Sequence, residues 1–256
     1  MFGQGLPTLL PILFLAVSPS LIWLFFYLKE DTNPEPRYWI FIMFLMGIVL
    51  APIVISLEMA ASKAFNLFSI SPLGGGYLEG ALLLFFIAPF IEEAAKYGAA
   101  HLALNKNPIM DEPVDAMIYV IVVALGFAAI ENVFAIFSFI PIGDPGYFSA
   151  AFNFMSMRFI TAVALHGLAS GISGYYFAKF YFIKKDKFLI AKGLFFAASF
   201  HGLYNFLVSN RDAVPMVLAG ILLGAGAALV IFMFNRLKHF QTYQQAAVDE
   251  PNDRKL

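Results

Sequence analysis

The sequence predicts an all-α fold: a polytopic transmembrane helical bundle of about seven spans, with a buried polar site among helices three to six. Three observations predict it. Of the 256 residues, 61% are hydrophobic and only 13% are charged, where a soluble domain carries roughly 25% charged residues. Mean hydropathy is +0.78. Several runs reach the about 20 consecutive apolar residues that a spanning helix needs.

Seven apolar stretches follow one another, at about 5–28, 38–57, 78–104, 114–139, 152–183, 188–209 and 213–235. The first has no basic stretch before it and stays apolar past "AVSPS", which reads as a membrane helix rather than a cleaved leader. The second follows the polar connection "KEDTNPEPR", 29–37. Between the second and third, the amphipathic segment 58–77 ends in "SPLGGG" and is expected to be interfacial or re-entrant. The third and fifth are long for a bilayer and must tilt or protrude. The connection "NKNPIMDEPVD", 105–115, separates the third from the fourth. Residues 237–256 are polar and are expected to form a cytoplasmic tail loose in solvent, which leaves 1–236 as one transmembrane domain without internal repeats.

Composition excludes several functions. A formal net charge of -1 and the lack of a basic patch argue against a nucleic-acid partner. With no cysteine there is no disulfide, no thiolate zinc ligand and no thiol nucleophile. Lys and Arg also orient the chain. Loops 1, 3 and 5 and the tail carry twelve of the sixteen, and the opposite side carries Lys63 and Arg211. The positive-inside rule then places the N-terminus outside and the C-terminus in the cytoplasm, in an integral membrane protein whose partner is the bilayer.

The spans nonetheless contain Glu92, Glu93, Lys96, Glu131, Arg158, His166 and His201, with Asn132 and Asn205 beside them. Five ionised side chains facing lipid would cost roughly 12–18 kcal/mol, more than the about 5–15 kcal/mol that stabilises a typical domain. They must face one another or a wet cavity. Counting about 1.5 Å per residue from the cytoplasmic ends, Glu92 lies roughly 18 Å deep, His201 about 20 Å, and Glu131 and His166 about 25 Å. Four helices thus bring polar groups to one level.

Each group has a structural and a chemical reading. Lys96 is spaced to pair with Glu92 at i,i+4 and with Glu93 at i,i+3. A structural pair needs only one carboxylate, so the second is available as a general base. Glu131 is a candidate partner for Arg158 across the bundle, and a guanidinium is a natural fixed counter-ion. His166 and His201 share the depth of the carboxylates. His201 and Asn205 are one turn apart, so both reach one point, as the two donors of an oxyanion hole do.

These residues also carry a resemblance. "EEAAK", Glu92 to Lys96, "FAAIE", Phe127 to Glu131, "RFITAVALH", Arg158 to His166, and "HGLYN", His201 to Asn205, occur in order over residues 92–205. In this the chain resembles the PrsW family of intramembrane proteases, within the larger group of CAAX-prenyl proteases and bacteriocin-processing enzymes. Glu131 stands where the CAAX branch has histidine. The resemblance implies peptide-bond hydrolysis at or within a prokaryotic plasma membrane. The substrate it implies is a membrane-anchored protein such as an anti-sigma factor. Glu92 would then activate water, and His201 with Asn205 would hold the oxyanion. His166 is expected to supply, from the next helix, the imidazole missing at Glu131, and Glu93 to assist.

Two other readings compete. Two histidines and three glutamates are a possible zinc set, although no H-E-x-x-H spacing is present; no cofactor is expected, with zinc the alternative. Glu and His chains also serve as proton relays in transporters and channels, but paired inverted halves are lacking. A scaffold without catalysis would have little use for four such groups at one depth.

Overall fold

The computed structural model describes residues 5–31, 33–68, 83–105, 107–140, 146–209 and 212–249. Every regular element among them is helical. The helices are α1 (Gly5–Leu28), α2 (Arg37–Phe68), α3 (Ala88–Leu104), α4 (Pro113–Phe139), α5 (Tyr147–Ile183), α6 (Lys187–Ser209) and α7 (Ala213–Asp249). A π-helical turn, Leu83–Ile87, leads into α3, and α5 contains two more, Phe159–Val163 and Lys179–Ile183. The expected seven helices are present. Five contain a stretch long and apolar enough to cross a bilayer: Leu9–Leu28, Arg37–Lys63, Pro113–Phe139, Tyr147–Ile183 and Ala213–Tyr243. The other two, α3 and α6, carry much of the buried polar site.

α4 is the central helix. It is apolar on all sides, as a helix surrounded by others must be, and it is buried without a break from Pro113 to Ala129. It packs on α1, α2 and α5. Its start is set by a capping box between Glu112 and Asp115. Pro113 takes the first helical position, where the missing N–H costs nothing. Glycines let the neighbours close in. A Cβ on Gly47 would overlap the Val123 carbonyl oxygen, and one on Gly126 would overlap that of Phe44, so α2 and α4 cross backbone against backbone. Gly202 places α6 against the Phe85 carbonyl in the same way, beside the turn into α3. Small residues are how membrane helices approach closely. The outside carries exposed phenylalanines such as Phe14, Phe41, Phe148, Phe195 and Phe232, which suits a surface bathed in lipid rather than water.

Two expectations change. The segment 58–77 is not separate over its first half: residues 58–68 continue α2 as one helix of 32 residues. No glycine or proline lies between Pro52 and Pro72 to stop it. Residues 69–77, like 78–82 of the expected third span, lie outside the described residues. The tail is helical rather than loose as far as Asp249, because no glycine or proline lies between Gly226 and Pro251. Leu237 is buried, and Lys238 Nζ donates to Glu30 Oε2 at 2.8 Å, tying the start of the tail to the end of α1.

Candidate active site

The site is built around Lys96, a fully buried side chain on α3. The helical spacing of "EEAAK" turns both carboxylates toward it. Lys96 Nζ donates to Glu92 Oε2 at 2.8 Å, to Glu93 Oε1 at 2.9 Å and to His166 Nδ1 on α5 at 2.9 Å. An ammonium has three donors and no acceptor, so these three partners complete it. The face of Phe127 lies 4.4 Å away, a favourable surface for a cation. Because Lys96 only donates, His166 Nδ1 must accept. The ring hydrogen then sits on Nε2 and is donated to Glu131 Oε2 at 2.5 Å. Both ring nitrogens of His166 are therefore engaged.

Glu93 is equally enclosed. Its Oε1 also faces His201 Nδ1 at 3.2 Å, and its Oε2 accepts the Ser170 hydroxyl at 2.8 Å. The carboxylate thus links α3, α5 and α6. On the far side, Arg158 lies 3.9 Å from Glu131 Oε2 and donates from Nε to Asn132 Oδ1 at 2.6 Å. Asn132 in turn donates to the Ala16 carbonyl of α1 at 2.9 Å.

The π turn Phe159–Val163 explains how Arg158 and His166 share one carboxylate. In a regular α-helix, residues eight apart point about 80° apart. One residue absorbed by a π turn moves the phase back by about 100°, which brings the two onto nearly one face. The turn is held by Trp23, whose Nε1 donates to the Phe159 carbonyl at 2.8 Å.

A cavity of about 760 Å³ meets this network. Glu92, Glu131, Arg158, His166, His201 and Asn205 line it, while Glu93, Lys96 and Asn132 stand behind its wall. Its rim includes Phe139, Val208 and Met216, so it extends toward the end of the bundle where α4 and α6 finish and α7 begins. His201 keeps Nδ1 on Glu93, which leaves Nε2 as the ring's remaining polar atom. The Asn205 side chain makes no hydrogen bond among the described residues.

The four helices do bring Glu92, Glu93, Lys96, Glu131, His166 and His201 into one connected network, with Arg158 and Asn132 as its outer support and Asn205 on the cavity wall. Two further residues join them. Ser170 is one turn beyond His166 on the same face of α5, a spacing visible in "HGLAS". Glu58 on α2 has a buried, unpartnered Oε1 and lies close enough to interact electrostatically with Glu92 and Glu131. It was hidden by the assignment of residue 58 to the amphipathic segment, one position past the second apolar run.

Fold and site together define a class, a polytopic helical membrane protein with a buried acid–base network, and the comparisons make it an intramembrane peptidase. The chain belongs to the PrsW family, matching the family described as PrsW family intramembrane metalloprotease over residues 35–235. It is similar to Protease PrsW of Geobacillus kaustophilus (strain HTA426), 29% identical over 199 residues, covering 77% of this chain and 79% of that one. It is 28% identical over 220 residues to Protease PrsW of Clostridioides difficile (strain 630), covering 84% and 87%. Against Protease PrsW of Bacillus subtilis (strain 168) the identity is 25% over 197 residues, covering 75% and 80%. No solved structure matches the chain.

The family description names a metal, and the donor types suit one. Glu92, Glu93, His166 and His201 each offer an atom within 4.8 Å of the others. Lys96 Nζ, however, already bonds three of the four, Glu92, Glu93 and His166. A zinc ion sits about 2.0–2.2 Å from its nitrogen and oxygen ligands. At that distance from Glu92 Oε2, Glu93 Oε1 and His166 Nδ1 it would be forced against the ammonium that already holds all three, a like charge. With Lys96 in place, the residues do not fit a metal at that point.

Proposed function

We propose that the protein hydrolyses a peptide bond of a membrane-anchored protein by glutamate-dependent, metal-free catalysis, with residues 1–236 as the catalytic domain. The single observation that carries this reading is the arrangement of α3: Lys96 neutralises Glu92 and Glu93 from behind, while Glu92 alone of the pair lines the cavity, opposite His201 and Asn205. Glu92 takes a proton from water, and the resulting hydroxide attacks the carbonyl carbon. Asn205, through its amide N–H, meets the oxygen as it gains negative charge, and His201 joins it from Nε2 in the form that carries hydrogen on both ring nitrogens, since Nδ1–H is directed at the Glu93 carboxylate. Glu92 returns the proton to the departing amine nitrogen as the C–N bond breaks.

Glu93 and His166 serve this chemistry indirectly. Glu93 orients His201 from Nδ1, and His166, engaged on both nitrogens, holds Glu131 in place rather than activating water. Glu131, Arg158 and Asn132 brace the cavity wall. The charge distribution supports a chain with its N-terminus outside, its C-terminus in the cytoplasm and its cavity mouth on the outer side. That geometry suits a first cut of a plasma-membrane substrate close to its outer juxtamembrane segment, as in release of an anti-sigma factor.

A second reading is favoured by the donor set and by the family description: zinc replaces Lys96 among the four ligands. One experiment separates the two. Purified protein in detergent is given a single-span substrate, with and without chelator, beside a Glu92→Gln variant. The proposal expects cleavage that survives chelation and fails in the variant. Cleavage that chelator stops and zinc restores would favour the second reading.

A further inference from the structure

A second cavity, of about 470 Å³, lies between α1 and α7 with α5 as its floor. Trp23 and Tyr27 come from α1, Val230 and Phe234 from α7, and Phe159 and Leu168 from α5. Tyr27, Leu168, Val230 and Phe234 are buried, whereas Phe26 and Ile231 on the rim are exposed. The cavity therefore opens sideways, where a membrane protein meets acyl chains. Its volume falls within the about 300–1,000 Å³ of ordinary ligand sites.

Two charged residues line it, Lys29 and Glu30, both at the end of α1. Glu30 is already neutralised by Lys238 Nζ at 2.8 Å. Lys29 is exposed and forms no ion pair among the described residues; its Nζ lies 4.4 Å from the Phe25 ring centroid and 5.6 Å from that of Phe26. Lys29 follows Trp23 by six residues, about 9 Å along a helix. A headgroup held at Lys29 would lead its chain past the Trp23 indole. An apolar cleft open to lipid, with one uncompensated ammonium at its end, matches an amphiphile with an anionic headgroup.

The floor of this cavity is also the back of the active site. Trp23 Nε1 donates to the Phe159 carbonyl at 2.8 Å, and the two rings lie 5.7 Å apart. Phe159 begins the π turn that brings Arg158 and His166 together on Glu131. The Tyr27 ring lies against Gly167, the neighbour of His166, where a Cβ would come within 2.9 Å of it.

We propose that an anionic phospholipid occupies this cavity, its phosphate at Lys29 and an acyl chain along Trp23 and Phe159, and that it holds the π turn on which the peptidase site depends. An empty cavity leaves its lining without dispersion partners on one side. A π turn relaxed to regular helix would swing Arg158 away from His166 by about 100°. A lipid that packs better on the π-turn conformer favours it. Binding itself needs no catalysis, so its failure is separate from failure of the peptidase mechanism; the effect on cutting rests on that mechanism.

The chain has two tryptophans, Trp23 and Trp39, so Trp39→Phe leaves Trp23 as the reporter. This protein, purified in detergent and washed free of lipid, is titrated with phosphatidylglycerol or phosphatidylcholine brominated on the acyl chain, since bromine quenches an indole it touches. Saturable quenching is expected. Half-saturation should come at about fivefold lower phosphatidylglycerol than phosphatidylcholine, the effect of one lysine beside an anionic lipid. Lys29→Gln should erase that preference, and Ala227→Phe, which fills the cavity, should abolish saturable quenching. Over the same range, unbrominated phosphatidylglycerol should raise cutting of a single-span substrate by lipid-free protein at least about fivefold. If Ala227→Phe fails to fold, Lys29→Gln at its exposed position still decides. Three results would overturn the proposal: quenching that never saturates, equal half-saturation by both lipids, or displacement of the brominated lipid by substrate, which would assign the cavity to a substrate segment. Saturable binding with unchanged cutting would overturn its link to the active site.

Discussion

Lys96 Nζ and His166 Nδ1, seventy positions apart in sequence, lie 2.9 Å apart inside the bundle. The contact does two things at once. It sets the histidine's tautomer, so that Nε2–H is directed at Glu131, and it places an ammonium on three of the four clustered metal-type donors, Glu92, Glu93 and His166. A cation built into the chain thus stands at the heart of the site.

Removing that cation should be costly. Lys96→Met is expected to destabilise the folded protein by roughly 3–5 kcal/mol, because two buried carboxylates lose their shared partner. Thermal unfolding in detergent measures this. Adding Glu93→Gln to Lys96→Met should recover part of the loss, since it removes one of the uncompensated charges; no recovery would mean that Lys96 acts through packing alone.

Glu92→Gln should lower turnover at least about 10²-fold, the lower range of general acid–base contributions, while the thermal midpoint stays close to wild type. The amide keeps the carboxylate's shape but cannot take a proton. A folded Glu92→Gln protein that cuts at the wild-type rate would remove Glu92 from the mechanism.

Asn205→Ala should act on kcat rather than KM. Loss of one oxyanion donor typically costs about 10²–10³ in rate, and Asn205 has no structural hydrogen bond to lose among the described residues. A rise in KM with kcat unchanged would make it a substrate-binding residue.

Two glycine substitutions test the helix crossing that positions the site. Gly126→Ala pushes a methyl group into the Phe44 backbone, and should destabilise by about 1–3 kcal/mol. Gly98→Ala on α3 meets nothing within 4 Å and should be neutral or stabilising by up to about 1 kcal/mol. Paired thermal melts check both; equal effects would mean that the α2–α4 approach is less tight than described.

The helical class and the clustering of the candidate residues were legible because ionisable residues are conspicuous in apolar runs. The pairing of Glu92 and Glu93 with Lys96 follows from helical spacing alone. The bracing of Glu131 by both Arg158 and His166 does not, because it depends on a π turn that shifts the phase of α5. Nor could spacing reveal that His166 is engaged on both nitrogens, since one partner is on α3 and the other on α4. Spacing does not single out Ser170, because hydroxyls in membrane helices commonly bond their own backbone; here it reaches Glu93 instead. Glu58 and the helical tail were misjudged for one reason: polarity was taken as the end of a helix, whereas neither stretch contains a residue that breaks one.

The most direct test of the central claim is the metal content of protein that is actively cutting a single-span substrate, measured by elemental analysis alongside a chelator titration of the same sample. The account predicts far less than one metal ion per chain and a cleavage rate that chelator leaves unchanged. Stoichiometric zinc, whose removal stops cleavage and whose return restores it, would contradict the account and turn Glu92, Glu93, His166 and His201 into ligands.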